Sequence, residues 1–458
     1  MALLTIHRPY ILWACPPHLW TTWGSFPQVW GKFRWAYRPV FQRPLTLLAQ
    51  AYAGKAVNKY ADLLKTPGVA RIISAQLTAR LPSGMISLAY LLHIEQIFNS
   101  YGLAGLVLAA TSLGQALAGP LTSRWMGYWG MRPVIVITIV ISAFSLAGIA
   151  FVEMPIGAYM AVGFVGGLAT PPIQPAVRTI YPTMVTSKQL TPLFSLDASA
   201  QEIIWIAGPV VTTFIATQIS TQLAIIVAGV FLIAGGLWFL SCKELGEVSI
   251  PRSKNKMGVV LRKPAVLLAT VVGFLLIGAA AAVEVAVVSV FGHGGPEAGI
   301  VLSIWAIGSI IGGLALGGLS IGPWALAARM LVVFIGIAMA GAILDFWWIA
   351  LALLIAGAGI APALAVMFAI VSSSVKFSDT AEAYGWMGSG QLIGAALGSA
   401  IAGFAIDGFG SLGGFIAASV FALVGFIVPA VFKSAHPDLR GRDAMPLADT
   451  EPVRIIKR

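Results

Sequence analysis

The alternation of charge between twelve long apolar stretches constrains the fold of this chain more than any other feature. Even-numbered connections, or the span ends beside them, carry Arg124, Arg132, Lys188, Lys243, Arg252, Lys254, Lys256, Arg262, Lys263, Arg329 and Lys376. Odd-numbered connections carry Glu95, Glu153, His293, Glu297, Asp345 and Asp407, and no Lys or Arg. Basic residues stay on the cytoplasmic side during insertion. The pattern therefore predicts a multi-pass protein of the cell (plasma or inner) membrane with both termini in the cytoplasm.

Each apolar stretch is long enough for a membrane-spanning helix, which needs about 20 residues. The predicted spans are 69–92, 99–121, 133–152, 157–180, 193–217, 222–242, 264–290, 297–319, 326–344, 347–371, 381–407 and 411–432. Helices are required because backbone groups in lipid must form hydrogen bonds within their own segment. We therefore predict an all-α integral membrane fold of twelve transmembrane helices in two six-helix halves.

Polarity divides the chain into five predicted segments. They are a basic, Trp-rich N-terminal extension at 1–66, a six-helix half at 67–242, a cytoplasmic linker at 243–263, a second six-helix half at 264–433, and a cytoplasmic tail at 434–458. The extension has no apolar run of spanning length, so it is interpreted as either disordered or interfacial. The polar tail is expected to be disordered. A chain that starts near Asp62 is expected to insert normally.

Composition excludes several classes of function. Charged residues make up 10% of the chain, against about 25% in soluble domains. The net charge of +11 is interpreted as anchoring beside anionic headgroups and not as a nucleic-acid surface. The sequence has no Walker loop and no metal-ligand spacing, which predicts a protein that is not an enzyme and has no metal or cofactor. We expect a monomer whose partners are the lipid bilayer, a small-molecule substrate and protons.

Polar residues inside the predicted spans are the candidates for function, because each is costly in hydrocarbon and usually faces a cavity. Arg80 lies near the middle of span one, and Gln76 shares its helix face. Asp197 and Gln201 form a polar face near the inner end of span five, where Arg178 of span four is placed to neutralise Asp197. This group is interpreted either as a structural ion pair or as part of a substrate and proton pathway.

Two glutamates and one glutamine complete the predicted pathway. Glu202 lies about 140° around the helix from Asp197, so the two are expected to face different neighbours. Glu284 stands alone in an apolar stretch with no Lys or Arg within 20 residues on either side. It is the first candidate for a proton-coupling group, with Arg80 as a possible partner, or else a residue of a water-filled vestibule. Gln391 of span eleven is the last candidate.

Glycines recur at four-residue spacing in the second half. Gly312 belongs to such a series in span eight, and Gly394 to one in span eleven. Small residues on one helix face let two backbones approach closely. The spacing predicts either static packing or a smooth surface on which the two halves move.

Several motifs resemble one family of transporters. The stretch PPIQPAVRTIYPTMV at 171–185, followed by AGPVV at 207–211, resembles the drug-exporter branches of the major facilitator superfamily. Gly208 and Pro209 resemble the core of the antiporter motif of that family in helix five. ARLPSGM at 79–85 and EAYGWMGSGQLIGAALGSAIAG at 382–403 resemble actinobacterial efflux permeases. The resemblance implies the twelve-helix fold of that superfamily over about residues 67–433.

The loop between spans two and three departs from the pattern of the family. SRWMGYWGMRP at 123–133 keeps Gly130 and Arg132, but Gly127 stands where the family has an acidic residue. In the family, that acid helps to latch the cytoplasmic side in the outward-open state. Its loss puts the ordinary latch in doubt.

The resemblance and the six-plus-six layout together predict a secondary active transporter that works by alternating access. Proton-coupled efflux of a small amphiphilic or drug-like molecule is the expected task. The alternatives are a sugar or amino-acid transporter of the same fold, and a non-transporting membrane receptor or scaffold.

Overall fold

A computed structural model of the chain describes residues 60–248, 250–253, 255–291, 297–317 and 319–449. The prediction made for residues 1–59 lies outside these ranges. The described part is helical, apart from loops and isolated bridge residues, which include the parallel bridge between Lys376 and Leu447. The predicted all-α membrane fold is confirmed.

Twelve transmembrane helices follow one another in the described part of the chain. The first half contains α1 Val69–Phe98, α2 Tyr101–Trp129, α3 Met131–Phe151, α4 in two segments (Ile156–Leu168 and Ile173–Met184), α5 Ser187–Gln218 and α6 Thr221–Ser241. The second half contains α7 Pro264–Phe291, α8 Glu297–Leu316, α9 Ala325–Ala342, α10 Phe346–Ser374, α11 Phe377–Phe409 and α12 Ser411–Val431. Among the described residues, 11 helices are both long and apolar enough to cross a membrane. The remaining one, α1, is 30 residues long but more polar.

Local sequence explains where two of these helices break or begin. Pro171 and Pro172 lack the N–H groups that would continue the first segment of α4. The freed carbonyl of Ala169 instead accepts a hydrogen bond from Ser142 Oγ at 2.8 Å. Helix α5 begins at Ser187, before the predicted 193, because Thr186 and Gln189 form a capping box.

The two halves contact each other through a limited set of helices. The contacting pairs are α2 with α11, α5 with α8, α5 with α10, and α4 with α11. We call the end of the bundle where α2 ends and α11 begins the basic end, because the basic even-numbered connections lie there. The opposite end is the acidic end.

The chain before α1 differs from the predicted extension. Residues 60–65 are helical, and the side chains of Tyr60 and Leu63 are buried against the bundle. The Tyr60 hydroxyl donates to the carbonyl of Gly313 in α8 at 3.4 Å. Residues 60–66 therefore pack with the bundle, and the predicted boundary at 66 lies too far along the chain.

The expectation of a disordered tail is wrong for residues 434–449. The Leu447 N–H donates to the Val375 carbonyl at 2.9 Å, and the Leu439 N–H donates to the Ile321 carbonyl at 2.9 Å. Asp449 accepts from the Ser378 N–H at 3.0 Å. The tail is ordered because the α8–α9 and α10–α11 connections offer free backbone and helix-terminal groups for it to bind.

Candidate functional site

A buried ion pair lies where α1, α4 and α5 meet. Arg178 Nε lies 2.9 Å from Asp197 Oδ2, and both side chains are almost wholly inaccessible. Asp197 Oδ1 accepts from Tyr181 at 3.2 Å and from Gln76 at 3.0 Å. The carboxylate is thus fully hydrogen-bonded, as a charge in a low-dielectric interior must be. The pairing of Arg178 with Asp197 is the one that the sequence indicated.

Arg80 joins this cluster, and among the described residues it forms no salt bridge with Glu284, its possible partner from the sequence. Its Nη1 donates to Gln76 at 2.9 Å, and its Nη2 donates to Gln201 at 2.6 Å. Its distance to Asp197 Oδ1 is 3.9 Å. Asp197 is the one described carboxylate that pairs with either guanidinium. The cluster of Gln76, Arg80, Arg178, Asp197 and Gln201 therefore carries one positive charge in excess.

Aromatic side chains of the second half cover the cluster. The guanidinium carbon of Arg178 lies 3.4 Å from the centroid of the Phe368 ring in α10. Tyr384 of α11 packs edge-on against Phe368 and donates its hydroxyl to the Phe368 carbonyl at 2.9 Å. Arg178 therefore connects the two halves by a cation–π contact.

Glu202 faces away from Asp197, as the helical spacing predicts. Its Oε1 accepts from Ser309 Oγ of α8 at 3.0 Å, and Ser309 in turn accepts from the Ala361 N–H of α10 at 3.1 Å. Glu284, on α7 of the second half, is exposed. Among the described residues, neither glutamate forms a salt bridge.

Gln391 lies on α11 against α7. Its Cγ is 3.3 Å from the position of a Cβ on Gly273, so the absence of a side chain there makes room for it. The Gln391 Nε2 is buried and has no hydrogen-bond partner among the described residues. This donor remains available, but no hydrogen bond joins it to the polar cluster.

An ion pair between the halves closes the basic end, and the sequence did not reveal it. Arg124 of α2 lies 2.7 Å from Glu382 of α11, and the Gly258 N–H donates to the same carboxylate at 2.7 Å. Asp379 accepts from Asn255 of the linker at 2.9 Å. In the sequence, the feature that could have indicated this contact is the pair of carboxylates Asp379 and Glu382 at the start of α11, together with the basic linker. The acid that is missing at Gly127 is thus replaced from the opposite half.

Glycines allow the halves to approach at this point. A Cβ on Gly385 of α11 would lie 2.7 Å from the carbonyl carbon of Gly119 in α2, and one on Gly119 would lie 2.7 Å from the Gly385 oxygen. Nearby, Ser389 Oγ donates to the Ala116 carbonyl. Described side-chain hydrogen bonds between the halves lie between the middle of the bundle and the basic end.

The glycines singled out from the sequence pack inside a half. Gly312 lies against the Ala358 backbone of α10, and Gly394 lies against the Phe274 backbone of α7. A Cβ on Gly208 of α5 would lie 2.8 Å from the Cα of Gly84 in α1, and Pro209 follows it inside α5. These three positions allow close packing within a half, whereas Gly313, from the same series in α8, lies against Ser199 of α5 in the opposite half.

Gly130 and Arg132 lie at the basic end. Gly130 joins α2 to α3 with a φ of 88°, a conformation that favours glycine. The Arg132 guanidinium lies directly against Gly246 of the short helix Lys243–Glu247, which follows α6. Both residues therefore shape this end of the first half.

Two six-helix halves, with a polar cluster in the first half that Phe368 of the second half covers, are the arrangement of a membrane transporter. The sequence matches the family model of the Major Facilitator Superfamily over residues 72–344. The chain belongs to that superfamily. A search of the curated proteins found no significant match.

Solved structures of the same fold are similar to this chain at low sequence identity. The human organic anion transporter MFSD10 (TETRAN) has a TM-score of 0.62 at 15% identity, covering 79% of this chain and 100% of its own. The fucose:proton symporter of E. coli has a TM-score of 0.64 at 13% identity, with 80% and 98% covered. An outward-facing bacterial homologue of the iron transporter ferroportin has a TM-score of 0.61 at 13% identity, with 80% and 99% covered. At these identities the likeness shows the fold.

Proposed function

We propose that the protein is a secondary transporter that exports a small amphiphilic or drug-like molecule across the cell membrane in exchange for protons. The observation that carries the proton coupling is the pair of glutamates, Glu202 and Glu284. They lie on opposite halves, and neither forms a salt bridge among the described residues. Glu202 is buried, so its ionised form is costly and a bound proton relieves the cost, whereas the exposed Glu284 can exchange a proton with water.

Alternating access gives this pair its role in coupling. In the conformation whose basic end is closed, Glu202 accepts a hydrogen bond from Ser309 of the opposite half, while Glu284 is exposed. Rocking of the halves separates Glu202 from Ser309 and changes the distance between the two carboxylates. The protonation of the pair therefore depends on the conformation, which is what couples a proton gradient to the movement of a substrate.

The Asp197 cluster serves a different purpose in this proposal. Asp197 is paired with Arg178 and accepts two further hydrogen bonds. Through Arg178, the pair binds the first half to Phe368 of the second. Arg80, Gln201 and Gln391 supply polar contacts for the substrate.

Replacing Glu284 with Gln tests the coupling. In liposomes containing the purified protein and a pH-sensitive dye in the lumen, the wild type should move protons when ethidium is added, and a protonophore should abolish ethidium accumulation. Glu284→Gln and Glu202→Gln should fold but lose accumulation against a gradient, because an amide does not titrate. The exposed Glu297→Gln on α8 serves as the matched control and should behave as the wild type. An unchanged pH dependence in both pathway variants would remove these residues from the coupling mechanism.

A second candidate, transport of an organic anion, is favoured by the excess positive charge at Arg80. A substrate carboxylate placed beside this guanidinium would neutralise it and form a charge-assisted hydrogen bond. The similar human protein is itself an organic anion transporter. Proton flux driven by carboxyfluorescein but not by ethidium, and lost in Arg80→Gln, would select this candidate. Flux driven only by fucose would select the sugar-transporter alternative.

The orientation of the bundle is a further proposal, with the basic end in the cytoplasm. It is motivated by the retention of basic loops on that side. In a variant whose two native cysteines are serines, a cysteine at exposed Asp407 should react with an impermeant maleimide in intact cells. A cysteine at exposed Lys256 should react only after the cells are opened. The opposite labelling pattern would invert the model.

A further inference from the structure

A cavity at the basic end lies apart from the polar cluster and from the Arg124–Glu382 ion pair between the halves. It has a volume of about 630 Å³ and is formed by the α8–α9 connection, the start of α9, the end of α12 and the tail. Its polar, basic and aromatic lining residues are Ser320, Trp324, Arg329, Lys433, Ser434 and Arg440. Nothing in the transport mechanism above uses this cavity.

The cavity carries a positive charge that the protein does not neutralise. Among the described residues, neither Arg329 nor Lys433 forms a salt bridge, whereas Arg440 is paired with Asp438 at 2.6 Å. The Arg329 Nη1 donates to the Ala325 carbonyl at 3.0 Å, and its Nε has no hydrogen-bond partner among the described residues. The charge of this guanidinium is therefore only partly compensated by the described residues.

Two further groups add to the attraction for an anion. Lys433 Nζ lies 5.0 Å from the centroid of the Trp324 ring, which holds the ammonium at the cavity. Helix α9 begins after Trp324 without a side-chain cap, and Ala325 and Ala328 of its first turn line the cavity, so the positive end of the helix dipole lies beside it. Burial lowers the pKa of the neighbouring His436, so this imidazole adds no positive charge at neutral pH.

The surface next to the cavity is apolar and exposed. Val431 and Phe432, which immediately precede Lys433, are 65% and 58% exposed, and Trp324 is 54% exposed. In a membrane protein such side chains lie against acyl chains, and Trp and Lys are typical of the headgroup level. A ligand that fits both the cations and this surface has an anionic head and apolar chains.

We propose that this cavity binds the phosphate group of an anionic phospholipid, with its acyl chains lying along the exposed surface of α12. Arg329 and Lys433, which both line the cavity, supply two positive charges to the phosphate group. The bound lipid joins the start of α9 to the end of α12 and to the tail. This site does not depend on the identity of the transported substrate.

Native mass spectrometry of the purified full-length protein tests the proposal. With phosphatidylglycerol added, the wild type should retain one tightly bound lipid, and its melting temperature should rise more than with phosphatidylcholine. Each basic residue near an anionic membrane surface contributes about 1 kcal/mol, so Arg329→Gln/Lys433→Gln should bind phosphatidylglycerol roughly 30-fold more weakly. The charge-matched control Lys188→Gln/Lys256→Gln, at two exposed residues outside the cavity, should bind as the wild type.

Three outcomes would overturn the proposal. They are equal retention of phosphatidylglycerol and phosphatidylcholine by the wild type, equal weakening in the control variant, and displacement of the lipid by millimolar inorganic phosphate, which would indicate a site for the free ion. The melting temperature of the double variant in phosphatidylcholine checks its folding. If it falls, the single variant Lys433→Gln, at a residue that follows α12, provides the same comparison.

Discussion

The Gly385→Val variant is expected to lose transport to background because the basic end can no longer close. A Cβ at this position would lie 2.7 Å from the Gly119 carbonyl carbon, which is closer than two carbon atoms can approach. The obstacle is the backbone of another helix, so no side chain can rotate away to relieve it. The strain is removed only when α2 and α11 separate, which holds the protein in a conformation open at the basic end.

The accessibility of Ser123 measures this separation directly. Ser123 is 2% exposed and lies on α2 beside Gly385. A cysteine at Ser123 should react slowly with maleimide in the wild type and at least several-fold faster in Gly385→Val. Gly388→Val is the matched control, since a Cβ at Gly388 meets nothing within 4 Å on the same helix. Normal transport by Gly385→Val would show that α2 and α11 need not approach this closely.

Asp197→Asn is expected to destabilise the fold more than any other single change in the polar cluster. It leaves the buried Arg178 guanidinium without its carboxylate, which lies 2.9 Å away in the intact protein. Removing one partner of a buried ion pair costs about 3–5 kcal/mol of the free energy of unfolding. The variant should show a markedly lower melting temperature in detergent and reduced expression.

Two further variants test the cause of this loss. Asp407→Asn removes an exposed carboxylate at the acidic end and should leave the melting temperature unchanged. Asp197→Asn/Arg178→Gln removes both charges and should recover part of the lost stability, because no uncompensated charge remains. Full stability of Asp197→Asn alone would mean that water or another group solvates Arg178.

The sequence indicated one part of the polar cluster correctly and mispaired another. Arg178 and Asp197 lie at the inner ends of consecutive spans, so their proximity follows from the chain direction of two neighbouring helices. Arg80 was one possible partner for Glu284 across the two halves, but it binds Gln76 and Gln201 in its own half. Rotation of α1 about its axis decides between these partners, and an apolar stretch with few polar residues does not specify that rotation.

The ion pair between Arg124 and Glu382 at the basic end is a second contact whose partners the sequence did not specify. The absence of an acid at Gly127 was visible in the sequence, but its replacement by Glu382 was not. Arg124 and Glu382 are 258 residues apart and meet only because α2 and α11 approach through Gly119 and Gly385. The tail was misjudged for a related reason, since its polar residues bind backbone groups that become available only when the connections fold.

The sequence by itself determined the class of fold, the number of spans and the division into two halves, together with the end at which basic residues gather. These properties depend on hydropathy and charge within single segments, because each helix must satisfy its own backbone before it contacts another. Only the tertiary structure decided which buried polar groups pair and which end is closed. Partner choice depends on the position and rotation of helices distant in sequence, and several arrangements share the same pattern of apolar residues.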